Sequence, residues 1–219
     1  MKFALPARLR LNRRVRIALV LVVASSAAHA EPRPEACLAE LDAHHVAYRR
    51  AARPGIAIGV EILGPLGGLQ LQSDDQPLVI DCSLAVSLAE AGRYFAAIDV
   101  DRAHFVSAYA RRNVHGTNIP SKHSYGLAID ISSFSSTDFT LRVDRDYESG
   151  LGDEVDCIGE PVTRAAAALK TLQCELVRSG LFHLVLSPDY DDFHRDHFHL
   201  EALPWRERQA LRSPLPAIH

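Results

Sequence analysis

Two short segments hold side chains suited to binding a metal. One reads Ser121-Lys122-His123-Ser124-Tyr125-Gly126-Leu127-Ala128-Ile129-Asp130, the other His194-Arg195-Asp196-His197-Phe198-His199. Imidazole nitrogens and carboxylate oxygens both ligate zinc, and three protein ligands with one position left for water mark a catalytic site. His123, Asp130 and His199 supply three such ligands for one Zn2+. Water in the fourth position becomes acidic, its pKa falling to about 7, which suits metal-assisted hydrolysis. His197 would lie beside the ion, where a general base or transition-state stabiliser belongs. His194 would orient the water or His197. Each segment alone has a plainer reading: a solvated histidine-rich turn, or an aspartate on the wet face of a half-buried strand. HxxHxH would also suit copper, and a fourth ligand from His197 or His194 would make the site structural.

Such a set works only if the chain holds it in place. On a strand, His197 and His199 share one face while Phe198 and Leu200 turn to the other. Asp130 sits among Leu127, Ala128, Ile129 and Ile131, where an ionised carboxylate is costly unless paired or metal-bound. The pattern predicts helices over 35–50, 83–97 (capped by Ser83) and 161–179, the last opened by Pro161 and closed by Gly180. Strands are predicted over 56–62, 69–72, 77–81, 103–109, 126–134, 138–144, 182–187 and 196–201. Residues 110–122 and the acidic stretch 145–160 read as loops, and the tail from Pro204 as a short helix. The expected fold is α+β, a mostly antiparallel sheet with flanking helices.

The first 30 residues read differently. A basic stretch (Lys2, Arg8, Arg10, Arg13, Arg14, Arg16) precedes the apolar run IALVLVVA and the small pair Ala28 and Ala30. That is the pattern of a secretory signal peptide cut near Ala30, with a run too short to span a bilayer. Residues 31–219 then form the single expected domain, periplasmic or secreted, with no stable membrane insertion after cleavage. The chain has 24 basic and 27 acidic residues. Without the six basic residues of residues 1–30 the balance is 18 against 27, a formal −9. Such a charge argues against nucleic acid as a partner. Cys37, Cys82, Cys157 and Cys174 are an even set in an exported chain, which predicts two disulfides. Three pairings exist; the sequence-near choice is Cys37–Cys82 with Cys157–Cys174, each worth roughly 3 kcal/mol.

The SKHSYGLAID and HRDHFH segments resemble those of the extensin-like C-terminal family of exported bacterial proteins. That family is similar to the zinc peptidases with lysostaphin-like, D-Ala-D-Ala metallopeptidase and sonic-hedgehog-like (LAS) folds. The resemblance covers roughly residues 35–203 and implies a LAS-like fold. It also implies zinc on His123, Asp130 and His199, His197 as the catalytic histidine, and peptidoglycan peptide as substrate. Arg112, in YARRNVHGT, matches an arginine that polarises a substrate carbonyl or holds a carboxylate. The family often carries cysteines where Arg111 and the neighbourhood of Ile58 stand here, so one disulfide of the pattern is missing and the pairing of the other four stays open. The implied function is hydrolysis of stem peptides or cross-links; the alternative is an inactive module that binds metal or wall peptide.

Overall fold

The largely apolar stretch CSLAVSLAEAGRYFA forms the most deeply buried helix among the described residues. The computed structural model describes residues 34–151 and 157–212. The expected signal peptide lies outside them. Helix α1 spans Pro34–Ala43 and α2 spans Cys82–Ala96. Eleven of the fifteen residues of α2 are buried, around most of its circumference, as expected of a helix surrounded by protein. Asp81, rather than Ser83, caps it. Its carboxylate accepts from the backbone N–H of Ser83 and of Ile58, both at 2.9 Å, so one side chain starts the helix and anchors the segment 56–58.

Helix α1 ends well before the expected residue 50. His45 adopts φ +55°, and Tyr48–Arg50 turns into strand β1. There it pairs antiparallel with β2 (Gly59–Ile62), which pairs in turn with β4 (Val79–Asp81). Sheet pairing, with Arg49 opposite Glu61 and bonded to it at 2.8 Å, overrides the local helical pattern. A disulfide between Cys37 and Cys82 ties α1 to the first turn of α2.

The second sheet has six strands: β3 (Gln70–Gln72), β5 (Arg102–Ser107), β6 (Ala128–Ser135), β7 (Thr140–Arg142), β8 (Leu184–Leu186) and β9 (Phe198–Glu201). Their order is β3-β5-β6-β9-β8, with β7 also on β6. The fold is α+β, but the expected mostly antiparallel sheet needs correcting. Among the described residues there are two sheets, and the larger is mixed, because β3 runs parallel to β5. A parallel neighbour requires a long crossover, and β4 with α2 provides it. Phe105, Phe134 and Phe198 are fully buried on this sheet, and Phe134 stacks on Phe95 of α2 with ring centres 6.0 Å apart.

Three more α-helices follow among the described residues: α3 (Val143–Asp146), α4 (Arg164–Ser179) and α5 (Trp205–Arg212). The expected strand 138–144 stops at Arg142 because Asp146 accepts its backbone N–H at 2.7 Å and starts α3. Pro161 lies outside α4. Thr163 is the cap, accepting from Ala166 N–H at 3.1 Å, and Gly180 in the left-handed region ends the helix as predicted. Cys157 pairs with Cys174 of α4, so both disulfides are the sequence-near pairs. The last expected strand begins at Phe198, which leaves His197 in the preceding turn.

Candidate metal centre

Strand β6 carries Asp130 to the middle of the large sheet. It has β5 on one side, where Ser107 faces Asp130, and β9 on the other, where His199 does. Directly opposed residues in neighbouring strands bring their side chains together on one face. The His199 ring Nδ1 donates to Asp130 Oδ1 at 2.6 Å although the residues are 69 apart in sequence. Phe198 and Leu200, on the other face, are fully buried, the alternation predicted for this strand.

His123 comes from the short 3-10 helix Lys122–Tyr125 that feeds β6. Ser121 caps it through His123 N–H at 3.3 Å, and Gly126 ends it with φ +64°. A Cβ at Gly126 would meet Asp81 N at 2.8 Å and Ile56 Cδ1 at 2.8 Å, so glycine is required on both conformational and steric grounds. The turn places His123 Nε2 at 3.2 Å from Asp130 Oδ1.

One ligand atom from each of His123, Asp130 and His199 lies within 4.8 Å of the others, and all three residues are buried. The far ring nitrogens strengthen the fit to a metal. His123 Nδ1–H donates to Ala108 O at 2.7 Å, and His199 Nε2–H to Glu201 Oε1 at 3.0 Å. With those protons committed, His123 Nε2 and His199 Nδ1, the ring nitrogens beside Asp130, are the atoms whose lone pairs would be free for a cation once the rings are neutral. This is how outer partners set the tautomer of metal-binding histidines. Two imidazoles and one carboxylate form a donor set that fits zinc.

The metal-free electrostatics fit the same picture. Burial raises the Asp130 carboxyl, but hydrogen bonds and charge from His123 and His199 outweigh it and hold the group well below the usual carboxylate range. Burial lowers His199, yet Asp130 and then Glu201 outweigh it and push its pKa up to about 9. A proton at neutral pH thus occupies the place where a cation would sit.

The remaining expected residues gather on the rim. Arg112 Nη2 donates to Asp130 Oδ2 at 3.1 Å, with its side chain 53% exposed. His197 Nε2 lies 3.6 Å from Asp130 Oδ1, and its Nδ1 is bound to Asp196 Oδ1 at 2.8 Å. His194 is held by Asp191 Oδ1 at 2.6 Å, with its ring centre 5.3 Å from that of His197 and 5.5 Å from that of His199. All six sequence-derived residues therefore meet around one site.

Residues 35–211 match the family model described as extensin-like protein C-terminus. The chain belongs to this family. A search of curated proteins returns no match, and neither does a search of solved structures. In this extensin-like domain, Glu201, Asp191 and Asp196 escaped the sequence reading, although each holds a histidine of the centre. Glu201 had a signal: it follows His199 by two residues on a strand and so shares its face. Asp191 and Asp196 lie in turns, where no periodicity indicates direction. Ala108 acts through its backbone carbonyl, which leaves no trace in residue type.

Proposed function

We propose that the chain is an exported zinc-dependent peptidase that hydrolyses peptide bonds of peptidoglycan stem peptides or cross-links, in the periplasm or outside the cell. The observation that carries this reading is the buried His123–Asp130–His199 trio, its far ring nitrogens engaged, open toward Arg112, His194 and His197. The kinship to LAS-type zinc peptidases read from the SKHSYGLAID and HRDHFH segments belongs to the same proposal. Export is supported by the basic-apolar N-terminal pattern and by two disulfides, which persist in oxidising compartments. Among the described residues no helix is long and apolar enough to cross a membrane.

His123 Nε2, Asp130 Oδ1 and His199 Nδ1 would hold the ion. Zinc supplies, when bound, a Lewis acid for the scissile carbonyl and a more acidic water. His197 moves the proton. Asp196 holds its Nδ1, which leaves Nε2 facing the trio to take a proton and return it to the leaving amine. His194, fixed by Asp191, limits how far the His197 ring swings. Arg112 presents a fixed guanidinium to a substrate carbonyl or carboxylate.

The closeness of His197 to Asp130 favours a second reading: His197 closes the site as a fourth ligand, and the protein binds metal or wall peptide without turnover. One experiment separates the two. Purified sacculi are digested with zinc-loaded protein spanning residues 31–219, with His197→Ala alongside, and the released muropeptides are weighed. Under the peptidase reading the wild type releases new peptides, while His197→Ala binds zinc as tightly but releases none. Intact sacculi together with zinc binding weakened in His197→Ala would overturn it in favour of the closed site.

A further inference from the structure

A second concavity adjoins the metal centre. It encloses about 470 Å³ and is lined by Pro54, Gly55, Arg111, Arg112, Ser124 and Tyr125, among others, none of them acidic. Arg112 belongs to both places, since the guanidinium that lines this pocket also reaches Asp130 Oδ2 at 3.1 Å. One arginine side chain therefore separates the pocket from the centre, roughly the span of two extended residues.

The pocket is built rather than incidental. Ser124 Oγ donates to Arg112 O at 2.7 Å and accepts from Arg112 N–H at 3.0 Å, which pins the backbone that carries both arginines. Tyr109 Oη donates to Pro54 O at 2.8 Å and holds the opposite wall. That wall is packed so closely that a Cβ on Gly55 would meet Ser124 O at 2.5 Å. Tyr125 leaves part of its ring open to solvent along the edge. Arg111 has neither a hydrogen bond nor an ion pair among the described residues.

Among the described residues Arg111, a guanidinium without a counter-ion, stands out in a chain whose residues 31–219 carry a formal −9, and Arg112 beside it is paired with Asp130 alone. A guanidinium fork matches a carboxylate in geometry and charge. We propose that this pocket is a carboxylate-binding subsite, with Arg111 its specificity-determining residue. It takes a free carboxylate of the peptide substrate that lies within about two residues of the bond held at the metal centre. The inference rests on the peptidase reading for what occupies the centre, and it narrows the substrates to peptides with a carboxylate near the cut.

The test uses zinc-loaded protein carrying His197→Ala, which keeps the peptide intact. The stem peptide L-Ala-γ-D-Glu-L-Lys-D-Ala-D-Ala is titrated calorimetrically in two forms: with free carboxylates, and with the D-Glu α-carboxyl and the C-terminus amidated. The free acid binds at least about tenfold tighter, and adding Arg111→Ala removes that difference while zinc affinity stays unchanged. Equal binding of acid and amide, including none of either, or a preference that survives Arg111→Ala, overturns the subsite. The sacculus digestion keeps the two readings separable. Acid preference without cleavage by the wild type sinks the peptidase and leaves the pocket; cleavage without acid preference does the reverse.

Discussion

Asp130 and His199 sit opposite each other on hydrogen-bonded strands and are almost wholly buried. Arg112, His194 and His197 stand a few ångströms away on loops, Arg112 half-exposed and the two histidines partly buried. The floor of the centre is thus set largely by sheet register, and its rim by turns held by hydrogen bonds such as Ser124 with Arg112 and Asp191 with His194. A one-residue slip between β6 and β9 would turn every floor side chain to the wrong face, whereas a rim loop can change sequence without disturbing the sheet. Under the proposed function, metal holding falls to the sheet and the turn that feeds it, and proton transfer and substrate choice fall to the loops.

Removing a floor ligand should have the largest effect. Asp130→Ala deletes the one carboxylate, and its zinc affinity should fall on the order of a thousandfold in a chelator competition titration. His197→Ala should break the rim alone. Turnover drops by about a hundredfold or more while zinc affinity holds, which steady-state kinetics and the same titration read together. If instead both variants lose zinc equally, floor and rim are a single four-ligand cage.

Glu201 tests whether the outer partners belong to the floor. In Glu201→Leu, His199 Nε2–H loses its acceptor, and zinc affinity should weaken by about tenfold to a hundredfold. Glu201→Gln retains an acceptor oxygen and should recover much of it. Equal affinity in the leucine variant would remove Glu201 from the centre.

Counted per pH unit, the smallest effect is a dependence on pH. The raised pKa of His199 in the metal-free protein contributes stability that is fully present below its unfolded value near 6.5. That stability is lost as pH rises through about 9. Zinc must displace the same proton, so its apparent affinity should climb toward pH 9, by up to about tenfold per unit, and then level off. The gap in Tm between zinc-loaded and chelator-treated protein should accordingly widen from pH 6.5 to 9. A gap independent of pH would mean that His199 does not exchange a proton for the ion.

Much of this centre was legible before any coordinates. The types and spacing in SKHSYGLAID and HRDHFH point to five of the six residues that meet, because glycine-bounded turns and strand alternation are local rules acting over a few residues; Arg112, outside both segments, came from the family resemblance. Gly180 and the tail helix were legible for the same reason. Helix 35–50 was misread because residues 48–50 join a sheet whose other strands lie further along the chain. The mixed character of the larger sheet was hidden likewise, since β3 and β5 are neighbours only through a crossover.

The sequence by itself determined which side chains are available for metal and proton chemistry, where the chain turns, and how strands divide into apolar and polar faces. These follow from backbone preferences and hydrophobic burial within single segments. Only the tertiary structure decided that Asp130 meets His199 across 69 residues, that Ala108 and Glu201 orient the rings, and that two arginines share a pocket with no acidic lining beside them. Those relations depend on strand register and loop packing, which arise from contacts summed over the whole core and leave no periodic mark on any one stretch of chain.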